Sequence, residues 1–143
     1  MNRNAPVRRP SSVLRPLLLL LVLSGVADAQ SADCHGGLKL QQVAELLFGR
    51  NIGDRLGVTQ AQWASFVDRE ITPRFPGGLT VFDIKGQWRE QGRIVHEPGK
   101  VVEIVLPGKD DDLDRLNQIV TAYKSRFRQH SVGIVMRDAC VSF

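Results

Sequence analysis

Two cysteines constrain this chain more than any other feature. Cys34 and Cys140 stand near the two ends of everything that follows an N-terminal leader. A bond between them would close nearly the whole domain into one loop, so the fold must bring its first and last segments together. On the chain-entropy model, a loop of that size stabilises by about 4–5 kcal/mol. A reactive thiol or a metal site is the other use of such a pair, but there is no second cysteine nearby and no CxxC spacing.

Whether the bond forms depends on the compartment, and the first 29 residues address that. Arg3, Arg8, Arg9 and Arg15 make a positive head, Leu17 to Leu23 is unbroken apolar sequence, and Ala27-Asp28-Ala29 is a small-x-small cleavage site before Gln30. The apolar run is far short of the roughly 20 residues that span a bilayer, so no transmembrane segment is expected. Pro10-Ser11-Ser12 after Arg8-Arg9 does not suit a twin-arginine signal, which leaves the general secretory route. Asp33 stands where a lipid-anchor site before Cys34 wants a small residue, so simple cleavage after Ala29 is expected. The protein is then secreted or periplasmic, an oxidising setting in which Cys34 and Cys140 pair. Cleavage also changes the charge. The full chain carries +4, but four arginines and Asp28 leave with the leader, and the remainder carries +1. No nucleic-acid partner is implied.

Residues 30–37 read as a tail and 38–143 as one domain. From Leu38 to Phe48, the rows Val43/Glu45/Leu47 and Ala44/Leu46/Phe48 are both partly apolar, as in a central strand. Residues 49–57, with three glycines, are expected to be loop. Thr59 and Gln62 then form a capping box, with Val58 and Trp63 placed as a hydrophobic staple. Trp63, Phe66, Val67 and Ile71 keep helical spacing until Pro73 stops the helix. Leu79 to Ile84 is the second strand and Lys100 to Leu106 the third. The polar stretch between them is a long hairpin whose arms include Trp88-Arg89 and Ile94-Val95. A second helix carries Leu113, Leu116, Val120, Tyr123 and Phe127 on one stripe. Aspartates crowd its start and Lys124, Arg126 and Arg128 its end, as the helix dipole favours. Ser131 to Arg137 is the last strand.

The order β-α-β-β-α-β predicts an α+β, ferredoxin-like fold, with an antiparallel sheet of order 4-1-3-2 and both helices on one face. The cysteines support it independently. In that arrangement the last strand runs antiparallel beside the first, which puts Cys34 near Cys140.

Chemistry-bearing motifs are sparse. Asp110, Asp112 and Asp114 have the spacing of a calcium loop, but Arg115 and Thr121 occupy positions that need glycine and glutamate. His35, His96 and His130 are scattered, and neither G-x-S-x-G nor a phosphate loop occurs. No metal, cofactor or catalytic residue is assigned. The proposed topology does gather polar residues at one end of the sheet. Arg50, Gln87, Trp88, Arg89, Glu97 and Lys100 are the candidate binding residues there, arginines around a tryptophan suiting an anionic or sugar-like ligand or a protein partner. His96 and Glu97 are candidates for proton transfer. An ordinary solvated rim is the competing reading.

Several strings carry a family resemblance: Phe48-Gly49-Arg50, Trp63-x-x-Phe66, Thr72-Pro73-Arg74-Phe75-Pro76-Gly77-Gly78-Leu79-Thr80, Gly86-Gln87-Trp88-Arg89, Glu97-x-x-Lys100 and Val141-Ser142-Phe143. Together the chain resembles the bacterial exported family called domain of unknown function 3574, over almost all of residues 30–143. The resemblance implies a secreted or envelope protein, sometimes lipid-anchored, with no established activity and no catalytic residue to carry over. Within its most distinctive string, Arg74, Pro76 and Gly78 are expected to be structural, Arg74 bracing the turn. The expected function is a non-catalytic binding or interaction module of the cell envelope, with an unknown ligand or envelope protein as partner. A homodimer would form through the sheet face left free by the helices. The alternative is a small envelope enzyme acting on an anionic substrate through the Arg50/Trp88/Glu97 end.

Overall fold

The computed structural model describes residues 34–143. The leader, its cleavage site and residues 30–33 of the tail lie outside the described residues. The elements are β1 (Lys39–Gly49), β2 (Asn51–Ile52), β3 (Arg55–Leu56), α1 (Gln60–Phe66) running into a π-helical turn (Val67–Ile71), β4 (Thr80–Glu90), β5 (Arg93–Val105), α2 (Asp112–Phe127) and β6 (Gly133–Val141). They make an α+β fold with two helices and an antiparallel sheet.

The sheet order is β4-β5-β1-β6. This label sequence differs from the 4-1-3-2 expected of a four-strand chain, because β2 and β3 intervene as a separate two-stranded hairpin within the expected loop. The strands expected as one to four are β1, β4, β5 and β6. β1 lies between β5 and β6, with β4 beyond β5.

Strand boundaries also shift. The expected second and third strands, ending at Ile84 and starting at Lys100, continue outward as one paired hairpin from Glu90 to Arg93. β1 stops opposite Gly99, so the outer half of this hairpin overhangs the sheet. The hairpin expected between those two strands is thus continuous with them, with Trp88-Arg89 and Ile94-Val95 in its arms. Its turn is Gln91-Gly92, both at positive φ (47° and 81°), the geometry that a two-residue connection between twisted strands prefers.

The core lies on one sheet face. Ala44, Leu46 and Phe48 from β1 and Val102 and Ile104 from β5 meet Trp63, Phe66 and Ile71 from the first helical segment and Leu116, Ile119, Tyr123 and Phe127 from α2. The capping box at Thr59 forms in both directions, and Val58 and Trp63 are both buried beneath it. The stripe expected on α2 is corrected at its first member. Leu113 is 58% exposed, because the buried face is centred on Asp112, Leu116, Ile119 and Tyr123 and Leu113 points off its edge. Asp112 is buried rather than solvated. It accepts from the Lys109 N–H at 2.9 Å and pairs with Arg115.

The opposite sheet face has no helix on it. It carries Leu47, Val101 and the exposed Phe82 and Val135, beside Arg137, which bridges Glu45 and Glu103. At the far end of β1 and β6, Cys34 and Cys140 are joined, with Cα atoms 5.5 Å apart. Among the described residues, no helix is long and apolar enough to cross a membrane.

Candidate functional site

A cleft of about 690 Å³ opens on the helix-free face, where the β4–β5 hairpin overhangs β1. Cross-strand partners share a face, so the pairs Ile84–Gly99, Gly86–Glu97 and Trp88–Val95 line up along its wall. The loop over Asn51–Asp54 and the turn over Arg128–Ser131 close its other sides. Glycines stand in its wall. Gly49 and Gly99 are partners in adjacent strands, and Gly86 follows two residues on from Ile84.

Glu97 sits within this hollow with 9% of its surface exposed. Its Oε1 accepts the Asn51 backbone N–H at 2.7 Å. A Cβ built on Gly49 would lie 2.5 Å from both carboxylate oxygens, so only glycine there leaves room for Glu97. Burial pushes the Glu97 carboxyl above its usual range, and the backbone N–H groups of Asn51 and Arg50 pull weakly the other way. Beneath it, the Tyr123 hydroxyl donates to the Gly49 carbonyl at 2.7 Å, and burial pushes that phenol upward as well. Gln129 donates to the Asn51 carbonyl at 2.6 Å, which ties the turn after α2 to the loop after β1. Trp88, 42% exposed, forms part of the wall.

Of the six binding residues expected from sequence, the cleft brings together Trp88 and Glu97. Strand alternation turns Gln87 and Arg89 to the other side of the hairpin, and His96 with them. Lys100 is buried on the helix side, where it pairs with Asp83 at 2.5 Å. Arg50 is half-buried and structural. Its backbone N–H donates to Pro98, its carbonyl accepts from Gly57 and Val58, and its Nε donates to the Val58 carbonyl at 2.9 Å. It closes the 50–58 loop from within. Gly49, Tyr123, Gln129 and Arg128 shape the site without having been singled out. Arg128 adopts a left-handed conformation (φ 54°), uncommon for a residue with a side chain.

Arg74 lies beside the turn it is expected to brace. Its guanidinium donates to the Glu70 carbonyl at 2.7 Å and to the Glu70 carboxylate at 2.9 Å, and reaches Gln118 on α2 at 3.2 Å. The Arg74 carbonyl accepts from Arg115, whose guanidinium lies 4.7 Å from the Phe75 ring centre. Gly78 is at φ 132°, which only glycine adopts readily after Pro76-Gly77.

The model of the family described as Protein of unknown function (DUF3574) matches residues 43–143, and the chain belongs to that family. No curated protein matches it. Among solved structures it is similar to a phage SAM lyase in the apo state, at 19% identity and a TM-score of 0.55, over 69% of this chain and 81% of that one. A phage SAM lyase in complex with S-methyl-5′-thioadenosine matches at 16% identity and 0.56, over 71% and 90%. CutA from Synechococcus elongatus follows at 11% and 0.46, over 71% and 83%. At these identities the likeness is one of fold.

Proposed function

We propose that this member of the DUF3574 family is a non-catalytic binding module of the cell envelope, secreted or periplasmic, that takes a small ligand in the cleft beside Trp88. One observation carries the reading. A hollow of ligand size holds a buried carboxylate and a half-exposed tryptophan on the same face, which is the mixture of apolar wall and few placed polar groups that small-molecule sites use. The Cys34–Cys140 disulfide supports the oxidising compartment, together with the leader sequence. The β-α-β-β-α-β succession around one core supports a ferredoxin-like description of the fold. A homodimer through the helix-free face belongs to the same proposal, supported by the exposed Phe82 and Val135.

A second reading, a small enzyme, is favoured by the raised Glu97 carboxyl, a proton acceptor moved toward neutral pH. Its anionic substrate loses support, since Arg50 does not line the cleft and Arg89 faces away.

The test is a small-molecule screen followed by the indole N–H resonances, with S-methyl-5′-thioadenosine among the compounds. A ligand of the cleft should shift Trp88 and leave the buried Trp63 in place, and Trp88→Ala should abolish the response. Hits that leave Trp88 unmoved would overturn the reading. Turnover of a bound compound would favour the enzyme.

A further inference from the structure

The cleft has a charge character opposite to the one its neighbourhood in sequence suggests, and this bears on the class of its ligand. The inference rests on reading the cleft as a ligand site. The carboxylates of Asp54, Glu90 and Glu97 line it, against Arg128 and His130. Among the described residues, no lysine, arginine or histidine nitrogen forms an ion pair within 4.0 Å of Glu97. The cations closest to it along the chain do not line the cleft: Lys100 pairs with Asp83, and the Arg50 Nε donates to the Val58 carbonyl.

A carboxylate withdrawn from water without a cation is costly, and most proteins avoid it. Here the surroundings accommodate it. Gly49 forgoes a side chain at the position a Cβ would block, and the Asn51 N–H holds one oxygen in place. On the adjacent strand, the Gly86–Glu97 and Trp88–Val95 pairs make Trp88 the diagonal neighbour of Glu97 on the same face. Such neighbours are separated by about 7–8 Å between their backbones. A group between them can touch the carboxylate and the indole at once. An aromatic face attracts a cation, and a buried carboxylate requires one.

We propose that the cleft binds an organic ammonium compound, its N–H groups donating to Glu97 and its carbon body lying against Trp88. The ligand then supplies the cation that the protein withholds. Neutral molecules would bind through Trp88 alone, and carboxylates would be repelled by Asp54, Glu90 and Glu97.

The experiment is calorimetric titration of the disulfide-bonded protein with phenethylamine, 2-phenylethanol and phenylacetate, three probes of one size and three charges. One charge-assisted hydrogen bond in the cleft should make the amine bind about ten- to a hundredfold tighter than the alcohol, with the acid weakest. Glu97→Gln should abolish the preference for the amine while the Trp88-dependent binding of the alcohol persists. As a control independent of that variant's folding, the native protein should lose the preference as pH falls and Glu97 takes up its proton, which burial makes it do above the usual carboxylate range. Equal binding of amine and alcohol, tighter binding of phenylacetate, or a preference that survives in Glu97→Gln would overturn the assignment. In each of those cases, Trp88-dependent binding would leave the cleft itself standing as a ligand site. No binding of the amine at about 10 mM, a Kd that corresponds to less than about 3 kcal/mol, would also overturn it.

Discussion

Replacing both Cys34 and Cys140 with serine tests the tie that closes the domain. The bond spans 106 residues of sequence, and a loop of that order removes about 4.7 kcal/mol of conformational freedom from the unfolded chain. The folded state loses little of its own. Cys140 lies opposite Leu40 in a ladder that runs from Lys39–Val141 to Leu47–Gly133, and those backbone pairs hold β1 and β6 together without the sulfurs. Almost the whole effect is therefore on the unfolded side, and the variant should fold to the same far-ultraviolet spectrum. A loss of about 3–5 kcal/mol is a large share of the 5–15 kcal/mol typical of a domain and should lower the Tm by about 10–20 °C. The assay is urea unfolding of wild type and variant followed by circular dichroism, where the denaturant slope should also rise as the unfolded chain expands. A difference below about 1 kcal/mol, with an unchanged slope, would refute the entropic reasoning. Two free thiols per chain in the protein purified without reductant would refute the bond.

Three further outcomes are expected. Tyr123→Phe keeps the ring contacts with Phe48 and Phe66 but leaves the Gly49 carbonyl without its hydroxyl donor. It should cost about 1–2 kcal/mol in urea unfolding, and a loss under about 0.3 kcal/mol would show that the hydroxyl does not hold β1. Because the folded protein binds the Glu97 proton more tightly than the unfolded chain does, the stability this group contributes is fully present below its unfolded pKa and is lost as pH rises through its folded one. Glu97→Gln removes that loss, so its stability relative to wild type should climb from acid to neutral pH, and a flat or falling difference counts against the burial of this carboxyl. If two copies meet through the helix-free face, Phe82→Arg should convert a dimer to a monomer in light scattering, and a wild-type protein that is already monomeric at high concentration removes the homodimer.

Much of the architecture was legible because its signals are local. Thr59, Gln62, Val58 and Trp63 specify a helix start among themselves, and the rows of β1 mark a central strand, which β5 and β6 flank. The cysteines, few and terminal, report the pairing of β1 with β6. What the sequence hides is made by groups with no side chain or with no fixed neighbour. Gly49, Gly86 and Gly99 line the cleft, Gly49 making room for the Glu97 carboxylate, and glycine carries no periodic signal of burial. The outer arms of β4 and β5 lack apolar alternation because they overhang the sheet, so the hairpin over 85–99 can be read but its register and its continuity with the strands cannot. Glu97 looks like any surface glutamate until Gly49 is set beside it.

Placing residues at one end of a sheet also differs from placing them on one face of it. Topology alone gathers Arg50, Gln87, Trp88, Arg89, Glu97 and Lys100 at the same end, and from their sum the end looks cationic. Register then sorts them. Residues of one strand alternate between faces, so Trp88 and Glu97 enter the cleft while Gln87, Arg89 and His96 leave it. That register is set by the two-residue turn at Gln91-Gly92, because it fixes Glu90 opposite Arg93 and every pair inward from there. Slipping one arm by one residue would exchange its set for the other and put a guanidinium where the indole now lies. The Ile84-x-Gly86-x-Trp88 and Val95-x-Glu97-x-Gly99 rows share a face only in this register. Which side chains line the cleft is therefore decided in a hairpin turn that is no part of its lining, and charge summed over a neighbourhood differs in sign from charge sorted by face.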